Sequence, residues 1–269
     1  MSVAEAFEKA RSEDRAVLVG YLPAGFPDVE GGIDALLTMV EAGCDVIEVG
    51  VPYTDPVMDG PTIQAAAQQA LESGFRIADV FRTVEAVAAT GTPTVVMTYW
   101  NPVERYGVDR FAQALADAGG AGLITPDLTP DYAPEWSEAA HERGLDKIFL
   151  VAPSSTAARI ESTVAASRGF VYATAVMGVT GARASTSDLA GPLVARTKRA
   201  ASAHQLPVGV GLGVSSGDQA AEVASYADAV IVGSAFVRTL LDHPDDRAAG
   251  LAALRALTED LAAGVRRRA

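Results

Sequence analysis

Residues 46–64 read Val-Ile-Glu-Val-Gly-Val-Pro-Tyr-Thr-Asp-Pro-Val-Met-Asp-Gly-Pro-Thr-Ile-Gln. The stretch opens as a short apolar strand, continues as a loop punctuated by proline and glycine, and leads into a helix near Thr62. The strand carries Glu48 where a purely structural strand would place another aliphatic residue, and the loop carries Asp55 and Asp59. This stretch therefore predicts both a strand–loop–helix unit and a cluster of acids at the end of its strand.

Glu48 is the strongest chemical signal in the stretch. Burial raises the pKa of a carboxyl group, because the charged form loses its hydration. A carboxyl group with a raised pKa can donate and accept a proton near neutral pH. The structural alternative places Glu48 at a strand end in contact with water and makes both aspartates turn formers.

Seven further apolar runs alternate with helical patterns along the chain, without a long linker. Uninterrupted apolar runs are typical of a parallel sheet buried on both faces. Eight strand–helix units in about 250 residues predict a single (β/α)₈ barrel domain over 1–269, with an extra N-terminal helix and a short phosphate-binding helix after strand eight. The predicted strands are 16–21, 46–50, 92–99, 122–125, 147–152, 170–175, 208–211 and 229–232.

The competing architecture is a doubly wound open sheet. That fold normally carries a glycine-rich phosphate-binding turn directly after its first strand. Here the first strand is followed by Leu-Pro-Ala-Gly at 22–25, which does not match the fingerprint. The pattern favours the barrel.

Composition excludes several classes of function. A net charge of −13 argues against nucleic acids and anionic membranes as partners. No apolar run reaches the ~18 residues of a membrane span, and residues 1–15 form a charged amphipathic pattern instead of a secretory signal. The single cysteine, Cys44, excludes an internal disulfide and suits a reducing cytoplasm. Any bound phosphate must then be held by backbone N–H groups.

In a barrel of this kind, catalytic side chains lie at the carboxyl ends of the strands and on the following loops. Glu48 and Asp59 follow the second strand, Asp127 follows the fourth, and Tyr172 lies in the sixth. Alternation along the second strand predicts that Glu48 points into the barrel mouth while its neighbours point outward to the helices.

Glycines mark the loops after strands six, seven and eight. They are Gly178, Gly181, Gly211, Gly213 and Gly233, and Ser234 opens a short helical segment after the last of them. Glycine lets the backbone approach phosphate oxygens, and a helix N-terminus supplies N–H groups and a favourable dipole. Turn formation is the structural alternative for each glycine taken alone.

Other chemistries find little support. The three histidines fall on helices or a tail loop, which argues against a Ser-His-Asp centre, and no Cys/His metal spacing exists. Asp55 and Asp59 could hold Mg²⁺ beside a substrate phosphate. The alternative for Asp55 is a loop or partner contact.

Residues 48–64 resemble the signature of the tryptophan synthase alpha chain family, and further motifs are similar to that family along the chain. These are Gly-Val-Thr-Gly at 178–181, Gly-Leu-Gly-Val-Ser at 211–215 and Gly-Ser-Ala at 233–235. The resemblance implies a (β/α)₈ barrel that cleaves indole-3-glycerol phosphate to indole and glyceraldehyde 3-phosphate by a retro-aldol reaction, without a metal or organic cofactor of its own.

The resemblance also implies roles for individual residues. Glu48 would serve as acid and then base, and Asp59 would accept a hydrogen bond from the indole N–H. Thr180 would orient Asp59 when loop six closes. The remaining substrate contacts implied are Tyr21, Tyr99, Ile124, Asp127, Tyr172 and Leu212 around indole, and Gly181, Gly213, Gly233 and Ser234 around phosphate.

The family acts with a pyridoxal-phosphate (PLP) beta chain, as an α₂β₂ complex, that receives indole through a tunnel. Loops 51–61 and 176–187 would then be lid and interface, with Pro52, Asp55 and Pro56 at the partner. The chain departs from the family pattern at 22–27 and 173–177, so the family's loop dynamics and its coupling to the beta chain do not carry over directly, whereas Glu48 and Asp59 are unaffected. The alternatives are a free-standing indole lyase, a mainly regulatory subunit, and a Mg²⁺-dependent prenyl transferase barrel.

Overall fold

The computed structural model describes residues 1–174 and 187–267. Eight parallel strands close into a barrel in sequence order, and the last strand pairs with the first. The predicted barrel is therefore confirmed, and the open sheet is excluded. The strands are β1 (Val17–Pro23), β2 (Val46–Gly50), β3 (Thr94–Met97), β4 (Gly122–Thr125), β5 (Asp146–Val151), β6 (Val171–Thr174), β7 (Val208–Gly211) and β8 (Ala229–Val232).

Helices connect the strands and cover the barrel. Within the described residues they are α1 (Val3–Ser12), α2 (Val29–Ala42), α3 (Pro61–Glu72), α4 (Ile77–Ala88), α5 (Trp100–Tyr106), α6 (Val108–Asp117), α7 (Pro134–Glu142), α8 (Ala157–Ala166), α9 (Ser187–Ala201), α10 (Gly217–Ala224), α11 (Ser234–Leu241) and α12 (Arg247–Gly264), with a 3₁₀ turn at Ser202–His204. None of them is both long and apolar enough to cross a membrane.

The helix before β2 shows how local sequence sets these boundaries. The Asp28 side chain accepts a hydrogen bond from the Gly31 N–H and so caps the start of α2. Gly43 ends the helix with a left-handed backbone, φ 116°, which residues with a side chain rarely adopt. The chain then enters β2 three residues later.

The third predicted strand, 92–99, is too long. β3 runs only from Thr94 to Met97, and Trp100 begins helix α5. Pro102 falls in the first turn of that helix, where its missing N–H would have no intrahelical partner in any case. The helix is stabilised from outside, because the Asp127 carboxylate accepts a hydrogen bond from the Trp100 N–H.

The barrel interior is a packed apolar core, not a pore. Inward side chains from six strands, together with Phe170 just before β6, form it: Val17, Val19, Val46, Val95, Ile124, Ile148, Phe170, Ala229 and Ile231. Helix α1 covers the amino end of the barrel, where the Phe7 ring packs against Phe170 with centroids 5.7 Å apart. Each fully buried aliphatic or aromatic side chain stabilises the fold by about 1.5–3 kcal/mol. With the amino end closed, a ligand must enter from the carboxyl ends of the strands.

Candidate active site

A cavity opens at the carboxyl ends of the strands. Its walls are mostly apolar, with a few polar groups converging from different strands, which is the usual character of a small-molecule site. It is lined by Tyr21, Glu48, Met58, Asp59, Ile63, Met97, Leu150, Tyr172, Thr174, Gly211, Leu212, Gly213, Ile231, Gly233 and Ser234.

Glu48 reaches this cavity from β2. Its neighbours Ile47 and Val49 pack between the barrel and the helices, so alternation turns Glu48 inward as predicted. The residue is 1 % exposed, and its Oε2 atom has no hydrogen-bond partner among the described residues. Burial, and then the nearby Asp59 carboxylate, raise the pKa of Glu48 to about 8. At neutral pH the side chain is therefore mainly protonated.

Asp59 faces the same cavity from the loop after β2. Burial raises its pKa, while a hydrogen bond from the Tyr99 hydroxyl acts in the opposite direction. The backbone carbonyl of Asp59 accepts a hydrogen bond from the Gln64 side chain at 2.8 Å, which ties the loop to helix α3. The cavity thus holds two carboxyl groups in different environments, the arrangement that separates acid–base roles.

Two tyrosines flank the carboxyl groups. Tyr21 is the register partner of Glu48 across β1 and β2, and a side-chain carbon at Gly50 would overlap its hydroxyl group. Tyr172 lies in the same way over Gly211. Burial raises the pKa of both phenols above the ordinary value, so both remain neutral. The two glycines therefore leave room for aromatic rings at the cavity wall.

The part of the cavity that follows β7 and β8 is built largely from backbone. Helix α11 begins at Ser234, and Gly233 before it has no side-chain capping bond. The first N–H groups of a helix lack intrahelical partners and favour an anion. Gly213, in the loop after β7, has φ 74° and lines the same cavity. This side can approach and bind an anionic group without any basic side chain.

Three residues expected around indole lie outside the cavity lining. The Tyr99 hydroxyl binds the loop after β2, Ile124 packs in the barrel interior, and both Asp127 carboxylate oxygens accept from the Trp100 N–H. Their direct contact with a substrate stays a prediction. Thr180 and Gly181 lie outside the described residues, as does most of loop 176–187.

The expected interface residues lie on the loop after β2. Asp55 is exposed and accepts a hydrogen bond from the Thr54 hydroxyl at 2.6 Å, Pro56 is half-buried, and Pro52 is buried. Asp55 does not line the cavity that holds Asp59. Across 1–174 and 187–267, no three His, Cys, Asp or Glu residues are grouped closely enough to hold a metal ion.

Several cavity residues were absent from the sequence prediction. They are Met58, Ile63, Met97, Leu150, Thr174 and Ile231. Counting inward positions back from each strand end would have found Met97, Leu150 and Ile231, because alternate residues of a barrel strand face the same side. Met58 and Ile63 depend on how the loop folds back, which no strand pattern encodes.

The closed parallel barrel, with its acid pair and open amides at the carboxyl ends, places the chain among the (β/α)₈-barrel enzymes. A family model described as "Tryptophan synthase alpha chain" matches residues 7–266. The chain belongs to the tryptophan synthase alpha chain family, as the sequence motifs predicted, and is a lyase that cleaves indole-3-glycerol phosphate.

Individual relatives agree with that assignment. The tryptophan synthase alpha chain of Acidothermus cellulolyticus is 61 % identical over 266 residues, which span 99 % of this chain and 97 % of the relative. That of Salinispora arenicola is 63 % identical over 261 residues, 97 % and 96 % of the two chains. A structure of Mycobacterium tuberculosis tryptophan synthase superposes with a TM-score of 0.91 at 57 % identity, covering 98 % of both chains.

Proposed function

We propose that Glu48 and Asp59 perform the carbon–carbon bond cleavage within this cavity. The observation that carries the proposal is the buried Glu48 carboxyl group, which faces the cavity with one oxygen unpartnered among the described residues. A buried polar atom without a partner is unfavourable, and such groups concentrate at functional sites. A substrate atom that exchanges a proton with Glu48 would supply the missing partner.

The chemistry requires two proton transfers that one carboxyl group can serve in turn. Protonated Glu48 donates to C3 of the indole ring, which breaks the aromatic system and places positive charge at the ring nitrogen. The resulting carboxylate then takes the proton of the side-chain hydroxyl group, the bond between C3 and that carbon breaks, and indole and an aldehyde form. A pKa of about 8 suits both steps near neutral pH.

Asp59 acts on the other side of the ring. Its carboxylate accepts a hydrogen bond from the indole N–H and stabilises the positive charge that develops there. Such stabilisation is strongest where water is excluded, because the effective dielectric constant is low. The apolar walls supplied by Leu150, Leu212 and Ile231 favour an aromatic ring at this position.

The phosphate group would bind at the backbone side of the cavity. Gly213, Gly233 and Ser234 supply close backbone approach and the N-terminus of α11, with Gly181 expected to join them. This arrangement fits a chain whose net charge is −13, since it needs no lysine or arginine at the site.

We extend the proposal to a partner, a beta chain that holds PLP and receives indole within an α₂β₂ complex. Membership of the alpha chain family supports it. The buried, unpaired Cys44 supports a cytoplasmic location. One domain over 1–269 is proposed because strands from Val17 to Val232 all join one barrel.

The test is indole release from indole-3-glycerol phosphate by the purified chain, with a chelator present, with and without a tryptophan synthase beta chain. Slow release that rises on addition of the beta chain supports the site, the absence of a metal requirement and the partner together. Fast release by the chain alone would favour a free-standing lyase. Loss of release with chelator would contradict the metal-free mechanism.

A further inference from the structure

The Tyr99 hydroxyl group is a junction between strand β3 and the loop that carries Asp59. It accepts hydrogen bonds from the backbone N–H groups of Val57, at 3.1 Å, and Met58, at 2.9 Å. The same hydroxyl lies near the Asp59 carboxylate and lowers the pKa of that group. Two consecutive residues directly before Asp59 are thus held by one oxygen atom of a residue about 40 positions along the chain.

Both acceptor positions of this hydroxyl are used. A phenol carries one O–H donor and at most two acceptor lone pairs. Two loop N–H groups occupy the acceptor positions, which leaves the O–H proton for a neighbouring acceptor such as the Asp59 carboxylate. Tyr99 also does not line the cavity. Its main contacts are therefore with the loop that carries Asp59.

Tyr99 itself is held firmly. It is 6 % exposed, and its ring packs against Tyr53 with centroids 5.4 Å apart. The N–H of the next residue, Trp100, donates to both oxygens of Asp127 at 3.0 and 3.1 Å. A carboxylate at the first turn of a helix also complements the helix dipole. The end of β3, the start of α5 and the loop after β4 thus fix the position from which the hydroxyl acts.

We propose that Tyr99 is a positioning residue, which fixes residues 57–59 and orients the Asp59 carboxylate in the cavity through its hydroxyl group. This inference rests on the catalytic role proposed for Asp59. Without the hydroxyl, the N–H groups of Val57 and Met58 lose their partner. The loop then samples other conformations, and the Asp59 carboxylate loses a donor that favours its ionised form.

The test is Tyr99→Phe, assayed for indole formation with the beta chain present. The variant removes one oxygen and keeps the ring that packs against Tyr53. We expect kcat to fall by about 10- to 100-fold, the size of effect expected for a misplaced catalytic group, with KM changed by less than about threefold. The acidic limb of the pH profile should move to higher pH, because the pKa of Asp59 rises when it loses the Tyr99 hydrogen bond.

Tyr226→Phe is the matched control. Its buried hydroxyl has no hydrogen-bond partner among the described residues, and it lies between α10 and β8 at the amino end of the barrel. The same chemical change there should leave kcat, KM and the pH profile as in the wild type. A loss equal to that of Tyr99→Phe would mean that the assay reports general destabilisation, and would overturn the proposal.

A double-mutant cycle with Asp59→Asn separates this inference from the proposed function. If Tyr99 acts through Asp59, Tyr99→Phe slows the Asp59→Asn enzyme by less than about threefold. The role of Tyr99 is overturned if Tyr99→Phe lowers kcat equally in the wild-type and Asp59→Asn enzymes. It is also overturned if kcat of the single variant Tyr99→Phe stays within about threefold of wild type, and neither result affects the role proposed for Asp59. If Asp59→Asn itself retains wild-type activity, the proposed function fails instead.

A second variant covers the case in which Tyr99→Phe does not fold. Asp127→Asn keeps the Tyr99 hydroxyl and weakens only the charged acceptor at the Trp100 N–H. We expect a smaller loss of kcat, about 3- to 10-fold, that again disappears in the Asp59→Asn background. A loss that persists there would contradict the proposal.

Discussion

Two acids three residues apart, one just before strand β2 and one within it, have opposite environments. Asp45, just before β2, is bound by the Arg15 guanidinium through both oxygens, at 2.7 and 2.9 Å, and by the Leu18 N–H at 2.9 Å. Glu48, within β2, has an oxygen without any partner among the described residues. Asp45, near the amino ends of the strands, has its hydrogen bonds satisfied within the protein. Glu48 faces the cavity at the carboxyl ends of the strands, where a reactant can bind it.

The different environments of Asp45 and Glu48 give the two residues different roles, one in stability and one in catalysis. Arg15 has 2 % of its side chain exposed, so its pairing with Asp45 keeps two charges together at a buried position. Removing one partner of such a pair leaves the other charge uncompensated. Glu48 has no such cation beside it within the described residues, and burial, followed by the Asp59 carboxylate, raises its pKa to about 8. The chain therefore anchors the fold just before β2 and supplies a titratable group within β2.

Glu48→Gln removes the titratable carboxyl group of the cavity and should have the largest effect on kcat. The amide is close in shape but can neither donate nor accept the transferred proton, so we expect kcat to fall by about 10³-fold or more. Binding of substrate should persist, since the cavity walls are unchanged. Single-turnover indole formation is the measurement, and more than about a tenth of wild-type turnover would contradict the acid–base role.

The stability of the wild type should also depend on Glu48 through pH. Its ordinary pKa is 4.5 and its folded-state pKa is about 8, so the unfolded chain releases this proton first as pH rises. The free energy of unfolding should therefore decrease between these values, by an amount on the order of 4 kcal/mol from this group. Urea unfolding of wild type and Glu48→Gln at pH 4.5 and pH 8 measures it. A difference between the two proteins that does not grow with pH would contradict the buried state of Glu48.

The kinetic counterpart is a basic limb in the pH profile. Because protonated Glu48 begins the reaction, kcat/KM should fall as pH rises through about 8. A profile that stays flat to pH 9.5 would argue against Glu48 as the acid.

Arg15→Met removes the cation that binds Asp45. It leaves the Asp45 carboxylate with only the Leu18 N–H, and we expect the free energy of unfolding to fall by about 3 kcal/mol. The turnover of the folded enzyme should match the wild type, because Arg15 lies at the closed end of the barrel. Arg15→Lys, which keeps the charge but not the two parallel hydrogen bonds, should lose less. Chemical denaturation measures the free energy of unfolding, and kcat is measured at denaturant concentrations below the unfolding transition. A loss of kcat in folded Arg15→Met would contradict the separation between a stabilising Asp45 and a catalytic Glu48.

Asp59→Asn tests the second carboxyl group of the cavity. The amide keeps an acceptor oxygen for the Tyr99 hydroxyl but loses the negative charge, so we expect kcat to fall at least about 10²-fold. Asp55→Asn is the matched control in the absence of the beta chain, because Asp55 lies on the same loop but outside the cavity. A rate within about threefold of wild type for Asp59→Asn would remove Asp59 from the mechanism.

Sequence patterns predicted the strands near the site well, because apolar runs and alternation depend on residues that are neighbours in the sequence. Apolar runs located β2, β4, β7 and β8 to the residue, and alternation predicted that Glu48 points inward. Helix α5 was missed because its start is held by Asp127, a residue beyond the next helix and strand. The same distance concealed the position of Tyr99, which neighbours the Asp59 loop only after β2 and β3 have paired.

The sequence by itself determined the barrel, the family and the two acids in the cavity, because periodicity and motifs are properties of neighbouring residues. Only the tertiary structure decided which acid is satisfied and which is not. Asp45 and Glu48 both carry a carboxyl group, but the Arg15 guanidinium binds that of Asp45, whereas that of Glu48 is buried at a mostly apolar cavity, which raises its pKa. The pKa of a carboxyl group depends on the solvation and charges around it, and folding alone brings those groups together.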